Sequence, residues 1–140
     1  MKKLILMIAL VAGVYGQGFT QNNNKITINV ENIKSTEGSI IVAIFNSEKT
    51  FLNTPFLSKS KLAKTGEIVF EFEGVPNGEY TISIYHDKNK NGELDKNLMG
   101  IPIEPYGVSK DGKSMFGPPN YKDALFAVEN SNVSLKITLD

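Results

Sequence analysis

The chain has 140 residues, no cysteine, one histidine, and 15 basic against 15 acidic side chains, for a formal net charge of zero. That length allows one modest core built from two packed layers. The missing cysteines exclude disulfides, zinc–thiolate sites, haem attachment and thiol chemistry.

At the N-terminus, Lys2 and Lys3 precede an eleven-residue apolar run, Leu4 to Val14, broken only by Gly13. The run is too short for a membrane span and the right length for the apolar part of an export signal. The alternative is a retained anchor or a buried helix. Small residues around Val14-Tyr15-Gly16 predict cleavage after Gly16, with the Ala9-Leu10-Val11-Ala12 stretch a poorer site. A lipoprotein would need a cysteine at the cut. This reading gives a signal at 1–16, a polar linker at 17–24 and one domain at 25–140, delivered to the periplasm or outside the cell, with no transmembrane segment remaining. Without Lys2 and Lys3 the balance is 13 basic to 15 acidic residues (13 − 15 = −2), which argues against a nucleic-acid or anionic-membrane surface.

From Lys25 onward, alternation of period two dominates, the signature of half-buried strands. Ile26, Ile28 and Val30 form one face of a first strand, and Thr36-Glu37-Gly38 turns the chain. Ser39 to Phe45 is apolar on both parities, so it reads as a central strand covered on both sides. Ser47 to Leu52 fits one helical turn capped by Asn46 or Ser47. Lys59, Lys61 and Lys64 read as a solvated loop. Ile68, Phe70 and Phe72 point inward from a third strand. Gly74-Val75-Pro76-Asn77-Gly78 turns into a fourth strand with Tyr80, Ile82 and Ile84 inside. The last two strands, Ala124 to Val128 and Val133 to Leu139, are joined by Glu129-Asn130-Ser131-Asn132, which reads as a polar hairpin loop. With a further strand near Leu98 to Ile103, these predict an all-β fold: an antiparallel β-sandwich of about seven strands, immunoglobulin-like or transthyretin-like.

Between Asp87 and Lys122 lie 36 residues with little strand character. Loops that long in compact domains are functional or disordered. This one carries Leu94, Leu98, Met99, Ile101 and Ile103 among other apolar residues, and four prolines, so it is expected to be ordered and packed.

Its first nine residues are the main chemical signal. Asp87, Asn89 and Asn91 fall at the first, third and fifth positions of an EF-hand-type calcium loop. Gly92 is the sharp-turn glycine, Glu93 offers its carbonyl, and Asp95 takes the ninth position. The twelfth position is Leu98, where a bidentate Glu is expected, and the flanks are not helices. The stretch is therefore not an EF-hand; it is a loop with similar ligand spacing, for which Asn97 or Glu104 would complete the shell. The expected cofactor is Ca²⁺ held through Asp87, Asn89, Asn91, Glu93 and Asp95, with weak affinity of about 10⁻⁴–10⁻³ M. The competing reading is a plain turn, since Asn91-Gly92 is a type I′ signal by itself.

His86 shares the parity of Ile82 and Ile84 and reads as a rim-of-core histidine bonded to backbone. The alternative is a hydrolase base, although no second histidine or cysteine completes a transition-metal site. Tyr106, Phe116 and Tyr121 form an expected ligand surface, or else they pin the long loop to the sandwich.

Across the mature chain the residues resemble the DUF2141 family of bacterial proteins. The resemblance rests on Tyr85-His86-Asp87, Asn89, Asn91-Gly92, Leu94-Asp95, Gly100-Ile101-Pro102, Glu104-Pro105-Tyr106-Gly107-Val108-Ser109 and Phe116-Gly117-Pro118-Pro119, together with the Gly-Val-Pro-Asn-Gly-Glu-Tyr turn. It implies an exported envelope β-sandwich and supplies no catalytic residues. The resulting expectation is a non-enzymatic module with an unknown protein or glycan partner. A hydrolase using His86 and a purely structural or adhesive module are the alternatives.

Overall fold

The computed structural model describes residues 24–114 and 117–140. The expected leader and residues 17–23 of the linker lie outside them, as does Phe116. Asn24, expected to end the linker, instead opens the first strand, where its side chain donates to Val75 O at 2.9 Å.

Among the described residues, eight strands form two sheets: β1 (Asn24–Ile33), β2 (Ser39–Phe45), β3 (Leu57–Leu62), β4 (Gly66–Val75), β5 (Gly78–Asp87), β6 (Tyr106–Val108), β7 (Phe126–Val128) and β8 (Val133–Thr138). One sheet has the order β4-β1-β8. The other has the order β3-β2-β5-β6, with β7 also pairing β5. The fold is all-β, as the alternation predicts. It is not purely antiparallel, because β1 and β8 run parallel from Ile26/Val133 to Glu31/Thr138.

The inner faces carry the expected residues. Ile26, Ile28, Val30, Ile40, Val42, Ile44, Phe70, Ile82 and Ile84 are fully buried between the layers. At the corner from β4 to β5 the chain changes sheets, and Tyr80 donates its hydroxyl to Pro76 O at 2.9 Å, four residues upstream. This bond, of the kind that fixes tyrosine corners, sets the entry angle of β5.

Three expectations fail for identifiable reasons. The 129–132 connection is no hairpin: β7 pairs β5 and β8 pairs β1, so the chain crosses between sheets there. It is anchored by Asn77, whose Oδ1 accepts from Asn130 N at 2.9 Å. The lysine cluster is no loop, because Lys59 and Lys61 sit on β3, paired with Val42 and Ile40. Residues 98–103 form no strand, only a single bridge between Lys96 and Pro102.

The 87–122 segment is not one loop either. β6 divides it into an excursion, 88–105, and a cover, 109–125. The cover contains a 3₁₀ turn, Ser109–Asp111, and a short helix α1, Tyr121–Ala124, so Ala124 ends a helix instead of starting β7. It packs on the outer face of β5. Ser109 Oγ accepts from Ile82 N at 3.0 Å and donates to Ala124 O at 2.5 Å. The 3₁₀ turn Glu48–Thr50, capped by Ser47 as expected, brings Phe51 onto the same face. Phe51 meets Phe45 and Tyr121 edge-on, both at 5.4 Å.

Candidate metal centre and the loop around it

β5 runs inward-outward until Asp87, its last residue, which is 3% exposed. From this fixed point the chain turns out. The Asp87 carboxylate accepts Asn91 N at 3.1 Å and Gly92 N at 2.9 Å, one on each oxygen. Asn89 Oδ1 also accepts Asn91 N, at 3.2 Å, and Asn91 Oδ1 accepts Glu93 N at 2.9 Å. These are Asx turns, in which a short side chain substitutes for a backbone acceptor. Lys90 and Gly92 take the positive φ values, 60° and 81°, that the bend requires.

The second carboxylate closes the ring. Asn89 Nδ2 donates to Asp95 Oδ2 at 2.6 Å and Asn91 Nδ2 to Asp95 Oδ1 at 2.7 Å. The four side chains proposed from spacing therefore meet at one hub. Glu93, whose carbonyl was the fifth expected ligand, is exposed and contributes its N–H to Asn91. Tyr85 donates its hydroxyl to Gly92 O at 2.7 Å. Its phenol is pushed upward by burial first and then by the charges of Asp87, Glu104 and Glu93.

Spacing alone did not assign Glu104 its role. Buried to 8% exposure, it accepts Lys88 N at 2.9 Å and Asp95 N at 3.0 Å, bracing both ends of the loop with one carboxylate. Asn97, the other residue considered for the shell, instead caps the next turn, its Oδ1 accepting Met99 N and Ile101 N. Leu98, at the twelfth position, faces solvent. From behind, Gly38 presses on the loop root. Its φ is +70°, and a Cβ there would lie 2.0 Å from Asp87 O.

A hard cation would find oxygen donors of the right type here. Each Asn oxygen uses one lone pair on a backbone N–H, and a second remains. The donor set is lean: among the described residues no group of three or more His, Cys, Asp or Glu side chains gathers for a metal.

His86 is 1% exposed, with Nε2 2.6 Å from Glu37 O. A carbonyl only accepts, so Nε2 carries the proton. The ring is buried on the inward parity and bonded to backbone, as expected. Tyr121 packs on Phe51, and Tyr106 lies under Lys113 Nζ, 4.7 Å from the ring centre. No ring contact joins the two tyrosines among the described residues. Four aliphatic side chains expected to pack do not: Leu98, Met99, Ile101 and Ile103 are exposed.

Fold and loop together define a two-sheet all-β domain that carries a braced Asp/Asn bend at the end of a central strand. The family model DUF2141, described as "Uncharacterized protein conserved in bacteria", matches residues 28–136, and the chain belongs to that family. No curated protein matches the chain. Among solved structures, a fimbrial assembly protein from Parabacteroides distasonis ATCC 8503 aligns over 84% of this chain at 9% identity, with a TM-score of 0.44. The chain spans about half (52%) of that protein's length.

Proposed function

We propose that this is an exported, non-enzymatic β-sandwich module whose 87–95 bend takes up Ca²⁺ and so fixes the neighbouring surface for a partner in the envelope. The observation that carries this reading is the convergence of Asp87, Asn89, Asn91 and Asp95 on one hub, with Asp87 anchored in the sheet. Calcium would engage Asp87, the two Asn oxygens, the Glu93 carbonyl and Asp95. The Asn Nδ2 groups now on Asp95 would swing away as the cation takes their place. Two carboxylates and neutral oxygens suit the weak, extracellular range of about 10⁻⁴–10⁻³ M.

A second reading has its own support. The amide donors already satisfy both Asp95 oxygens, so the hub also works as a metal-free clasp. Calorimetry of the purified protein with Ca²⁺ separates the two. Heat of binding that disappears in Asp95→Ala is expected for the calcium site. No heat up to 10⁻² M, about tenfold above the expected range, leaves the clasp.

A further inference from the structure

The dipeptide Asn-Gly occurs twice in the chain, at Asn77-Gly78 and at Asn91-Gly92. Asparagine is thermolabile, and a following glycine exposes it further, because no Cβ shields the glycine nitrogen from the side-chain amide beside it. That nitrogen can attack the asparagine Cγ. An N–Cγ bond forms, the Cγ–Nδ2 bond breaks, and Nδ2 leaves as ammonia with the proton the glycine nitrogen gives up. Water then opens the cyclic imide. Opening at Cγ gives aspartate. Opening at the backbone carbonyl gives isoaspartate, whose main chain is longer by the Cβ. The reacting groups are neighbours in the chain, so the rate turns on how often the fold lets them meet.

The fold restrains the two sites differently. Asn77 is held by partners remote in sequence. Its Oδ1 accepts from Nδ2 of the buried Asn24 and from Asn130 N, both at 2.9 Å, and its Nδ2 donates to Asn130 Oδ1 at 2.7 Å. Gly78 stands opposite Val128 in the ladder of β5 and β7. Freeing Asn77 therefore requires β1 and the 129–132 connection to part from the corner between β4 and β5.

Asn91 is held only by its own bend. Its Oδ1 accepts from Glu93 N at 2.9 Å, its Nδ2 donates to Asp95 Oδ1 at 2.7 Å, and Gly92 N donates to Asp87 Oδ2 at 2.9 Å. Asn91 and Gly92 are exposed, and open space surrounds the position a Gly92 Cβ would take. In the closed bend Asp87 occupies the Gly92 N–H, so the attack belongs to the open state. The bonds that fix the amide and the attacking nitrogen all lie within 87–95. Opening that bend alone releases both, and local openings are far more frequent than those that separate strands.

The product does not restore the closed bend. A carboxylate oxygen takes the place of the Nδ2 donor now 2.7 Å from Asp95 Oδ1, and two ionised carboxylates so close repel each other. Isoaspartate also shifts Gly92 away from Asp87. The Glu104 brace on Lys88 N and Asp95 N does not pass through Asn91, so the change stays within the bend.

We propose that Asn91 is a self-modification site: Gly92 N displaces its side-chain amide, and the carboxylate formed opposite Asp95 unlatches the bend for good, while Asn77 in the same chain stays intact. The inference does not depend on the calcium reading, and chelator in the test keeps the two apart.

The purified chain is held in mildly alkaline buffer with chelator. Peptide mapping by mass spectrometry follows the exchange of NH2 for OH at both asparagines, and isoaspartyl methyltransferase labels the isoaspartate. Asn91 is expected to convert to a mixture of aspartate and isoaspartate at least about tenfold faster than Asn77. In denaturant, where only the local chemistry remains, the two rates should draw level. The converted chain, separated by its extra negative charge, should lose amide-exchange protection at Asn91, Gly92 and Glu93, with Ile82 and Ile84 of β5 unchanged. Asn91→Asp, made directly, should reproduce that loss. Equal rates in the folded chain, no conversion at Asn91, or a rate gap that survives denaturant overturns the proposal. A converted chain whose bend amides keep their protection overturns it as well.

Discussion

Tyr106 and Asp140 exchange two backbone hydrogen bonds, N–H to carbonyl in each direction, both at 3.2 Å. Tyr106 belongs to one sheet, and Asp140 follows β8 of the other, so this pair stitches the two sheets along one side. Gly107 makes the approach tolerable, since a Cβ there would lie 2.7 Å from Thr138 O. Lys113 reinforces the stitch through Asp140 Oδ2 at 2.8 Å. That hydrogen bond, and then the lysine's charge, hold the Asp140 carboxyl below its usual range. A depressed carboxyl contributes stability that is present above its unfolded pKa and lost as pH falls through the folded one. The pair is exposed, so the effect is small. The expected outcome is an Asp140 titration that moves up to the ordinary range in Lys113→Met, followed by carboxyl NMR, with little change in Tm at neutral pH.

The loop brace gives a second prediction. Glu104→Ala leaves the N–H groups of Lys88 and Asp95 without their charged acceptor and should cost about 2–3 kcal/mol. Denaturant unfolding measures the loss. Faster amide exchange at Lys88 and Asp95, with core amides of β5 unchanged, would locate it.

Gly38→Ala is expected to be more damaging than its size suggests. It combines a positive φ with a Cβ placed against the Asp87 carbonyl and Lys88 Cα, which is backbone and cannot rotate away. A loss of about 3 kcal/mol or more is expected. Gly92→Ala, with open space around it and the same φ sign, should lose only about 1 kcal/mol. Comparing the two Tm values tests the distinction.

Tyr85 offers a spectroscopic reporter of the bend. Because its folded pKa is raised, its contribution to stability is complete below the ordinary phenol range and fades as pH rises through the folded value. Asp87→Asn removes one of the charges responsible and should lower it. Bound Ca²⁺ should lower it as well, so a phenol titration by NMR that ignores millimolar Ca²⁺ would speak for the metal-free clasp.

Phe51→Ala removes both edge-on contacts that join Phe45 to Tyr121. The expected loss is about 1–3 kcal/mol. It should come with proteolytic sensitivity between 109 and 125 and little change at the bend.

Strands with an apolar stripe could be read from the sequence because burial leaves alternation behind it. β3 could not: Leu57-Ser-Lys-Ser-Lys-Leu has no apolar inner face to betray it, since its lysines lean across to the other sheet. β6 is three residues long and was hidden among prolines. The parallel match of β8 to β1 was illegible for another reason, since both strands alternate and nothing local names a partner or direction. At the bend, spacing points to Asp87, Asn89, Asn91, Glu93 and Asp95, and the hydrogen bonds of the bend run through the side chains of all but Glu93. Spacing offers Glu104 only as one of two residues to complete the shell, because its role as a strut depends on a return path that no local pattern encodes. The aliphatic content of the 98–103 turn predicts packing, whereas among the described residues nothing covers it.

Opposite the Tyr106–Asp140 stitch, β3 and β4 face each other without pairing. There Lys61 Nζ donates to Val69 O at 2.6 Å, Lys59 Nζ donates to Glu71 O, and the same ammoniums lie over the Phe70 and Phe72 rings at 5.1 and 5.0 Å. The domain is thus a cylinder slit along its length, laced by flexible side chains where a ladder would otherwise run. Laces can be undone faster than ladders, so transient breathing of the interior, and any unwanted strand exchange between neighbouring molecules, should begin at that slit.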